Sequence, residues 1–386
     1  MHRDQRVHAL EVGARGEHDG ATVASGLSPH HARPDRRQAP QRASPHAWIL
    51  AASPNPREIA AMFAALGRRA VTGIAVLVGV VTLTFVLLRL SPGDPAARLL
   101  GPSATAAQLT AQRHALGLDQ PLAAQYAAWL GRFVRGDWGT SVATGRPVRA
   151  LLGDAWPATV CLVGLSLLVS YLLGLAVGAL QAARRGSRLD TALSVASVTL
   201  FAIPGYWLGL MLVMVFTYWA RALPAFGAAG LDAELLVGSA RLADRLRHLA
   251  LPLATLTLIG IGGVARYVRG ALLDVVAQPF VTTARAKGLP PAVVLLRHAL
   301  RNALIPVLTL LGLSLPALFS GAVFVEAVFA WPGVGRVLVE GVQARDYPLV
   351  MAATTVSAAL VVVGNLLADA AATWADPRTR RGRRAA

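Results

Sequence analysis

Charge is scarce in this sequence. Of its 386 residues 15% are charged and 55% hydrophobic, against about a quarter charged in an average soluble domain. That balance excludes an ordinary water-soluble domain. Cysteine is nearly absent: Cys161 stands alone in an apolar stretch, which excludes a disulfide framework or a cysteine metal site within the chain and leaves it as a small packing residue. Lysine is equally scarce, with Lys287 the single one among 37 basic residues. A phosphate-binding loop requires Gly-Lys followed by Ser or Thr, and Lys287 follows Ala286, so the chain has no such ATP site of its own. The formal net charge of +17 would raise nucleic acid as a partner for a soluble protein. Here the charge lies between apolar runs, without a basic stripe and interleaved aromatics, and phospholipid headgroups are the expected partner instead.

What the sequence does hold is a series of apolar runs. At about 1.5 Å per helical residue, some 20 residues cross a hydrocarbon core of about 30 Å, and six stretches qualify: Ala70 to Leu90, Pro157 to Leu180, Thr191 to Trp219, Leu249 to Val268, Ala303 to Val325 and Leu349 to Thr373. Only helices satisfy their own backbone in lipid, and these runs are too long and uniform for barrel strands. The expected fold is an all-α membrane protein with six transmembrane helices. Residues 1–61 differ from the rest: they hold six of the nine histidines, much Arg, Pro and Ser, and no sustained apolar period. They read as a disordered or non-native extension, with the native start at Met62. The remaining divisions are a first span within 62–90, an external loop over 91–156, a five-helix core over 157–375 and a basic tail over 376–386.

Basic residues orient the spans. With the first N-terminus inside, the cytoplasmic segments carry 16 basic and 4 acidic residues, and the opposite side carries 13 and 10. Both termini are therefore expected in the cytoplasm. In the external loop, Thr105 and Gln108 form a capping box, and a second helix from Pro121 to near Gly136 carries Leu122, Tyr126, Trp129, Leu130 and Phe133 on one face. That face either docks an external partner or lies on the membrane surface or the other spans.

The spans lack a central carboxylate, lysine or histidine. Transporters driven by protons or sodium place such groups deep in the bilayer, so energy for transport must come from outside the spans. Arg89, Arg266, Arg269 and Asp369 fall near span ends, where long side chains reach the interface. Tyr206, Trp207 and Asn365 are the candidates for lining a path. His248 and His298 sit in separate basic segments on opposite sides, and neither a catalytic constellation nor a metal-ligand cluster is present, so no catalytic residue, metal ligand or enzymatic activity is assigned.

The longest internal segment between spans, 271–301, is too apolar for a plain linker. Phe280, Val281, Ala284, Ala286 and Leu289 alternate with Thr282, Thr283, Arg285 and Lys287 in a short amphipathic helix, which Gly288 stops in the left-handed conformation before Pro290 and Pro291. Small residues let another surface approach, and Arg285 and Lys287 offer charge pairing. The physics supports a docking knob or a helix held at the headgroups.

The run "QPFVTTARAKGLPPAVVLLRHALRNALIPVLTLLGL" resembles the signature of binding-protein-dependent ABC permeases of the dipeptide, oligopeptide and nickel branch. "SPGDP", "LGLDQPLAAQYAAWL" with "GDWGTS", "LPAFG", "EAVFAWPGVGR" with "RDYPLV", and "DPRTR" follow in that family's order, from Leu66 to Arg380. One departure is "IPGYWLG", where Gly205 and Tyr206 replace a bulkier pair. The resemblance implies a type I importer fold in the bacterial inner membrane. It places Thr283, Ala284, Arg285, Ala286, Lys287 and Gly288 in a coupling helix that docks on a separate ABC ATPase, which binds the ATP, so no cofactor is expected in this chain. A second, related permease chain or a second copy and an extracytoplasmic solute-binding protein complete the implied assembly. Peptides are the expected cargo, with nickel or glutathione as alternatives, and a non-transport membrane scaffold remains the rival class.

Overall fold

The computed structural model describes residues 56–91, 93–101 and 103–375. Most of the extension and the whole basic tail lie outside those residues. The helices are α1 (Pro56–Leu90), α2 (Pro95–Leu100), α3 (Ala106–Ala115), α4 (Leu122–Val134), α5 (Val148–Ala183), α6 (Arg188–Ala202), α7 (Gly205–Val213, continued by a π-helical turn over Met214–Trp219), α8 (Gly238–Val276), α9 (Pro279–Ala286), α10 (Leu300–Val328), α11 (Val334–Gln343) and α12 (Tyr347–Ala375). A second π-helical turn, Val294–Ala299, leads into α10. Among the described residues the only β pairing is an isolated bridge between Thr140 and Pro147.

Among the described residues four helices are long and apolar enough to cross a membrane: Leu66–Leu90 within α1, α5, α8 and Tyr347–Leu367 within α12. The pair α6 and α7 makes a fifth candidate, but it is not the straight span expected over Thr191 to Trp219, because the two limbs meet at 104°. The cause is Pro204. It lacks an N–H and forces the residue before it out of the helical region, and Ile203 accordingly sits at φ −71, ψ 130.

Two other spans begin earlier than Pro157 and Leu249. Pro157 and Pro252 are interior to α5 and α8 rather than at their starts. In α5 the carbonyl that loses its partner is that of Gly153, which is exposed, so the missing bond can be replaced by solvent. In α8 the preceding run of Ala, Leu and Arg is rich in strong helix formers. The segment expected to be a loop from Ala271 also opens as helix, since α8 continues to Val276.

The core runs along the seam between α5 and α8, where small residues bring two backbones together. A Cβ on Gly178 would stand 2.6 Å from the carbonyl oxygen of Ala265 and 2.7 Å from the Cβ of Val268. At one end of this seam Leu162, Leu251, Leu256, Val325, Phe329 and Trp331 form one buried cluster. Toward the other, Val264, Val268, Leu272, Ala299 and Ala303 form a second.

Three short helices, not two, precede α5. Asp94 caps α2 by accepting from the Ala96 N–H at 3.0 Å and holds Arg113 of α3 through Nε at 2.8 Å. The capping box at Thr105 and Gln108 is formed. Partial burial pushes the Asp94 carboxyl up, but the Arg113 and Ala96 bonds outweigh it and hold it below its usual range. Its stabilising contribution is therefore complete above the unfolded value of about 3.9 and lost as pH falls through the lower folded value. Thermal unfolding of wild type and Asp94→Asn should differ by a constant amount from pH 7 to 5, and the gap should close below about pH 4.

The apolar face of α4 packs on the chain's own spans. Tyr126 and Trp129 lie against Val81, Phe85 and Met351 of α1 and α12, and Thr82 Oγ1 donates to the Tyr126 hydroxyl at 2.9 Å. Phe133 stacks on Trp138 at 5.3 Å. Leu122 and Leu130, placed on the same face by their spacing, remain exposed.

Candidate functional site

Helix α9 lies at the end of the bundle where α5 finishes, α6 starts and α10 starts. Gln278 precedes it in extended geometry and Pro279 occupies its first position, where a missing N–H is harmless. Val281 and Ala284, one turn apart, are buried against Val294, with Val275 and Leu289 beside them. The helix is thus clipped to both its neighbours, the end of α8 and the π turn that opens α10.

Of the six residues singled out from Thr283 to Gly288, Ala284 is the anchor, at 7% exposure. Thr283, Arg285, Ala286, Lys287 and Gly288 are exposed. Thr283 Oγ1 donates to the Pro279 carbonyl at 3.1 Å, which removes its hydroxyl proton from the outer surface. The Lys287 N–H reaches the Thr283 carbonyl at 3.1 Å, and the Gly288 N–H the Arg285 carbonyl at 2.9 Å. Gly288 itself sits at φ 75, a region in which Cβ-bearing residues are strained. Beyond it, the Pro290 carbonyl accepts from Val294 N–H at 3.1 Å. The result is a short cationic knob on a firm apolar base.

The same end carries a latch that the span pattern did not reveal. Asp190, in the first turn of α6, is 3% exposed and accepts two bonds from Arg269 of α8, Nε at 2.8 Å and Nη2 at 2.9 Å. It also takes the Gly186 N–H at 3.0 Å. Such a bidentate pair fixes orientation as well as distance. Arg269 lies ten residues before Pro279 on the helix that leads into α9, so the latch ties α6 to the element bearing the knob. The other three charges near span ends also have partners within the chain. Arg89 stacks on Phe85 at 5.2 Å, Arg266 on Phe201 at 4.5 Å, and Arg69 pairs with Asp369.

Tyr206 and Trp207 lie in the first turn of α7, just past the Pro204 bend, and are 50% and 46% exposed. Asn365 is exposed on α12, which packs chiefly on α1, α5, α10 and α11. The structure therefore places the pair together and Asn365 on a separate element.

At the opposite end three buried side-chain acceptors and one main-chain carbonyl bind the segments together. Glu326, fully buried near the end of α10, accepts from the N–H of Gly335 at 2.7 Å in the first turn of α11, where a carboxylate meets the positive helix end. Thr159 Oγ1 takes the Val334 N–H at 2.8 Å. Asp346, also fully buried, accepts from Ser141 Oγ at 2.6 Å and Ala143 N–H at 3.1 Å and caps α12 through Leu349 N–H at 3.2 Å. The Phe329 carbonyl holds Gly227 N–H at 2.9 Å. The blocks "GDWGTS", "LPAFG", "EAVFAWPGVGR" and "RDYPLV", far apart in the chain, thus meet in one collar. Nothing in composition or period points to Glu326 or Asp346 as its centres; the sequence signal was the glycines around them.

Family profiles match nearly all of the described chain. The profile described as "Binding-protein-dependent transport system inner membrane component" covers residues 170–381, and its N-terminal companion covers 62–163. The chain is 39% identical over 318 residues to the oligopeptide transport system permease protein AppB of Bacillus subtilis, spanning 82% of this chain and 99% of that one. It is 39% identical to the probable D,D-dipeptide transport system permease protein DdpB of Escherichia coli, over 80% of this chain and 95% of that one. With the di/tripeptide transport system permease protein DppB of Pseudomonas aeruginosa it shares 38% identity over 83% of its own length and all of that protein's. Among solved structures, an inward-facing form of the MetNI methionine ABC transporter aligns with a TM-score of 0.47 at 18% identity, over 60% of this chain and 98% of that one. Matched along both profiles and across whole relatives, the chain belongs to the family of binding-protein-dependent transport system inner membrane components.

Proposed function

We propose that this chain is the permease subunit of an ATP-driven type I importer for di- and oligopeptides, and that α9 is its coupling helix. The observation that carries the reading is the build of α9: its base is locked to α8 and to the entry of α10, while Arg285, Ala286, Lys287 and Gly288 face outward. A surface that grips those residues moves two spans with it. ATP is bound by separate ATPase subunits docked there, and this chain contributes no nucleotide site. Alternating access follows as rigid-body rocking of the spans.

In this reading α10 is the sixth span beside the five candidates, both termini are cytoplasmic, and a second permease chain, related or identical, closes the path. A solute-binding protein delivers cargo to the collar end. Tyr206 and Trp207, exposed where the backbone breaks at Pro204, line the path together with Asn365, because broken helices in membranes face cavities rather than lipid. Peptide cargo is supported by the names of the relatives above. A glutathione transport system permease of Salmonella choleraesuis, 35% identical, makes that tripeptide the first competitor to try.

Reconstitution with its ATPases, partner permease and binding protein tests the proposal. Labelled peptide uptake should require ATP and survive collapse of ion gradients. Uptake that persists without ATP and stops with the gradient would overturn it, as would recovery of a soluble non-ATPase protein as the partner of α9.

A further inference from the structure

Between the end of α1, the face of α4 and the start of α12 the chain encloses a cavity of about 510 Å³. That is within the range of about 300–1,000 Å³ typical of small-molecule sites. Its floor is apolar: Phe85 and Met351 are 5% and 4% exposed, and Trp129 packs with them. Its mouth is polar, lined by Arg89, Arg132, Arg345 and Asp137. Arg89 is fixed over the Phe85 ring. Arg345 occupies a left-handed backbone position, φ 51, where glycine or asparagine is the unstrained choice; such strain at a non-glycine residue points to a use for its side chain.

We propose that this cavity binds an anionic phospholipid, with the phosphate among the three guanidinium groups and the upper part of an acyl chain on the aromatic floor. Planar guanidinium groups match phosphate oxygens in pairs. Position favours lipid over a transported solute. Only 11% of the apolar stretch of α1 is buried, and Val86, Leu87 and Leu90 beside the cavity are exposed, so an acyl chain continues from the floor onto the lipid-facing surface of α1. Tyr126, Trp129, Phe133 and Trp138 follow one another in ring contact, and aromatic residues of this kind are enriched where a bundle meets the membrane interface.

Native mass spectrometry of the delipidated full-length chain tests this, titrated with dioleoyl phosphatidylglycerol, dioleoyl phosphatidylcholine and inorganic phosphate. Phosphatidylglycerol should occupy one site about tenfold more tightly than phosphatidylcholine, which has the same phosphate but brings a trimethylammonium group against the like charge of the three arginines. Arg132→Gln, a change at an exposed position, should remove that preference. Ala128→Trp, which fills the cavity from α4, should abolish occupancy by both lipids. Equal affinity for the two lipids, or a preference untouched by Arg132→Gln, overturns the proposal. So does inorganic phosphate binding as tightly as the lipid, which would mark a free-anion site, or displacement of bound lipid by the solute-binding protein, which would mark a protein docking surface.

Discussion

Replacing Gly288 by valine should leave the chain inserted and folded yet reduce ATP-driven uptake by at least about tenfold. A Cβ at Gly288 meets nothing within 4 Å, so the substitution causes no clash. What it disturbs is the backbone, because φ 75 is costly for a branched side chain, about 1–2 kcal/mol. A bundle stable by about 5–15 kcal/mol survives that. The strain is relieved by moving the chain out of the left-handed region, which redirects Lys287 and breaks the tight turn before Pro290. Force then reaches a knob whose end no longer has a fixed shape. Ala286→Glu should do the same by another route, adding bulk and a negative charge to the exposed face without touching Val281 or Ala284. In proteoliposomes ATP hydrolysis should continue while peptide uptake falls. Wild-type uptake by either variant, at wild-type insertion, would remove α9 from the coupling role.

The membrane class of this chain and the approximate place of its spans were legible because lipid imposes one simple demand, a long uncharged run. The bend at Pro204 does not follow from that demand, because proline inside an apolar run has two outcomes. At Pro157 and Pro252 the helix continues; at Pro204 the residue before it turns extended and the axis swings by 104°. The difference lies in tertiary packing, which no local rule contains. The knob at α9 was legible because its signals are local: a proline at the start, small residues on one face, a glycine and two prolines at the end. The latch between Asp190 and Arg269 was not, since its partners are 79 residues apart, and each alone looks like a charge near a span end. The collar shows the same limit. Its motif blocks were readable as a resemblance, but their contact depends on Glu326 and Asp346, carboxylates whose burial is visible only once α10, α11 and α12 are folded against one another.

That burial makes the glycines beside Glu326 the most sensitive positions in the collar. A Cβ on Gly335 would lie 2.4 Å from the Cα of Val323 and 2.9 Å from Glu326 Oε2. Val323 is interior to α10 and its backbone has no freedom to yield, so Gly335→Ala must lift the start of α11. Overpacking of this kind costs about 1–3 kcal/mol. Lifting α11 also breaks the 2.7 Å bond to a buried carboxylate, worth about 1.5–3 kcal/mol more. Loss of about 3 kcal/mol or more is expected, read as a lower unfolding temperature in detergent and less folded protein in the membrane. Gly333→Ala should behave differently on one point. The three atoms nearest its Cβ all belong to the Glu326 side chain, at 2.3 to 2.4 Å, whereas the closest obstacle at Gly335 is main chain. Truncating Glu326 to alanine should therefore recover part of the stability lost in Gly333→Ala and none of the clash that Gly335→Ala makes with Val323. A double-mutant cycle separates the two cases: in the Glu326→Ala background Gly333→Ala should cost little further, whereas Gly335→Ala should still cost about 1–3 kcal/mol, the share set by the Val323 main chain. Equal residual costs in that background would mean that α11 yields as a unit and that Glu326, rather than the backbone of α10, sets its position.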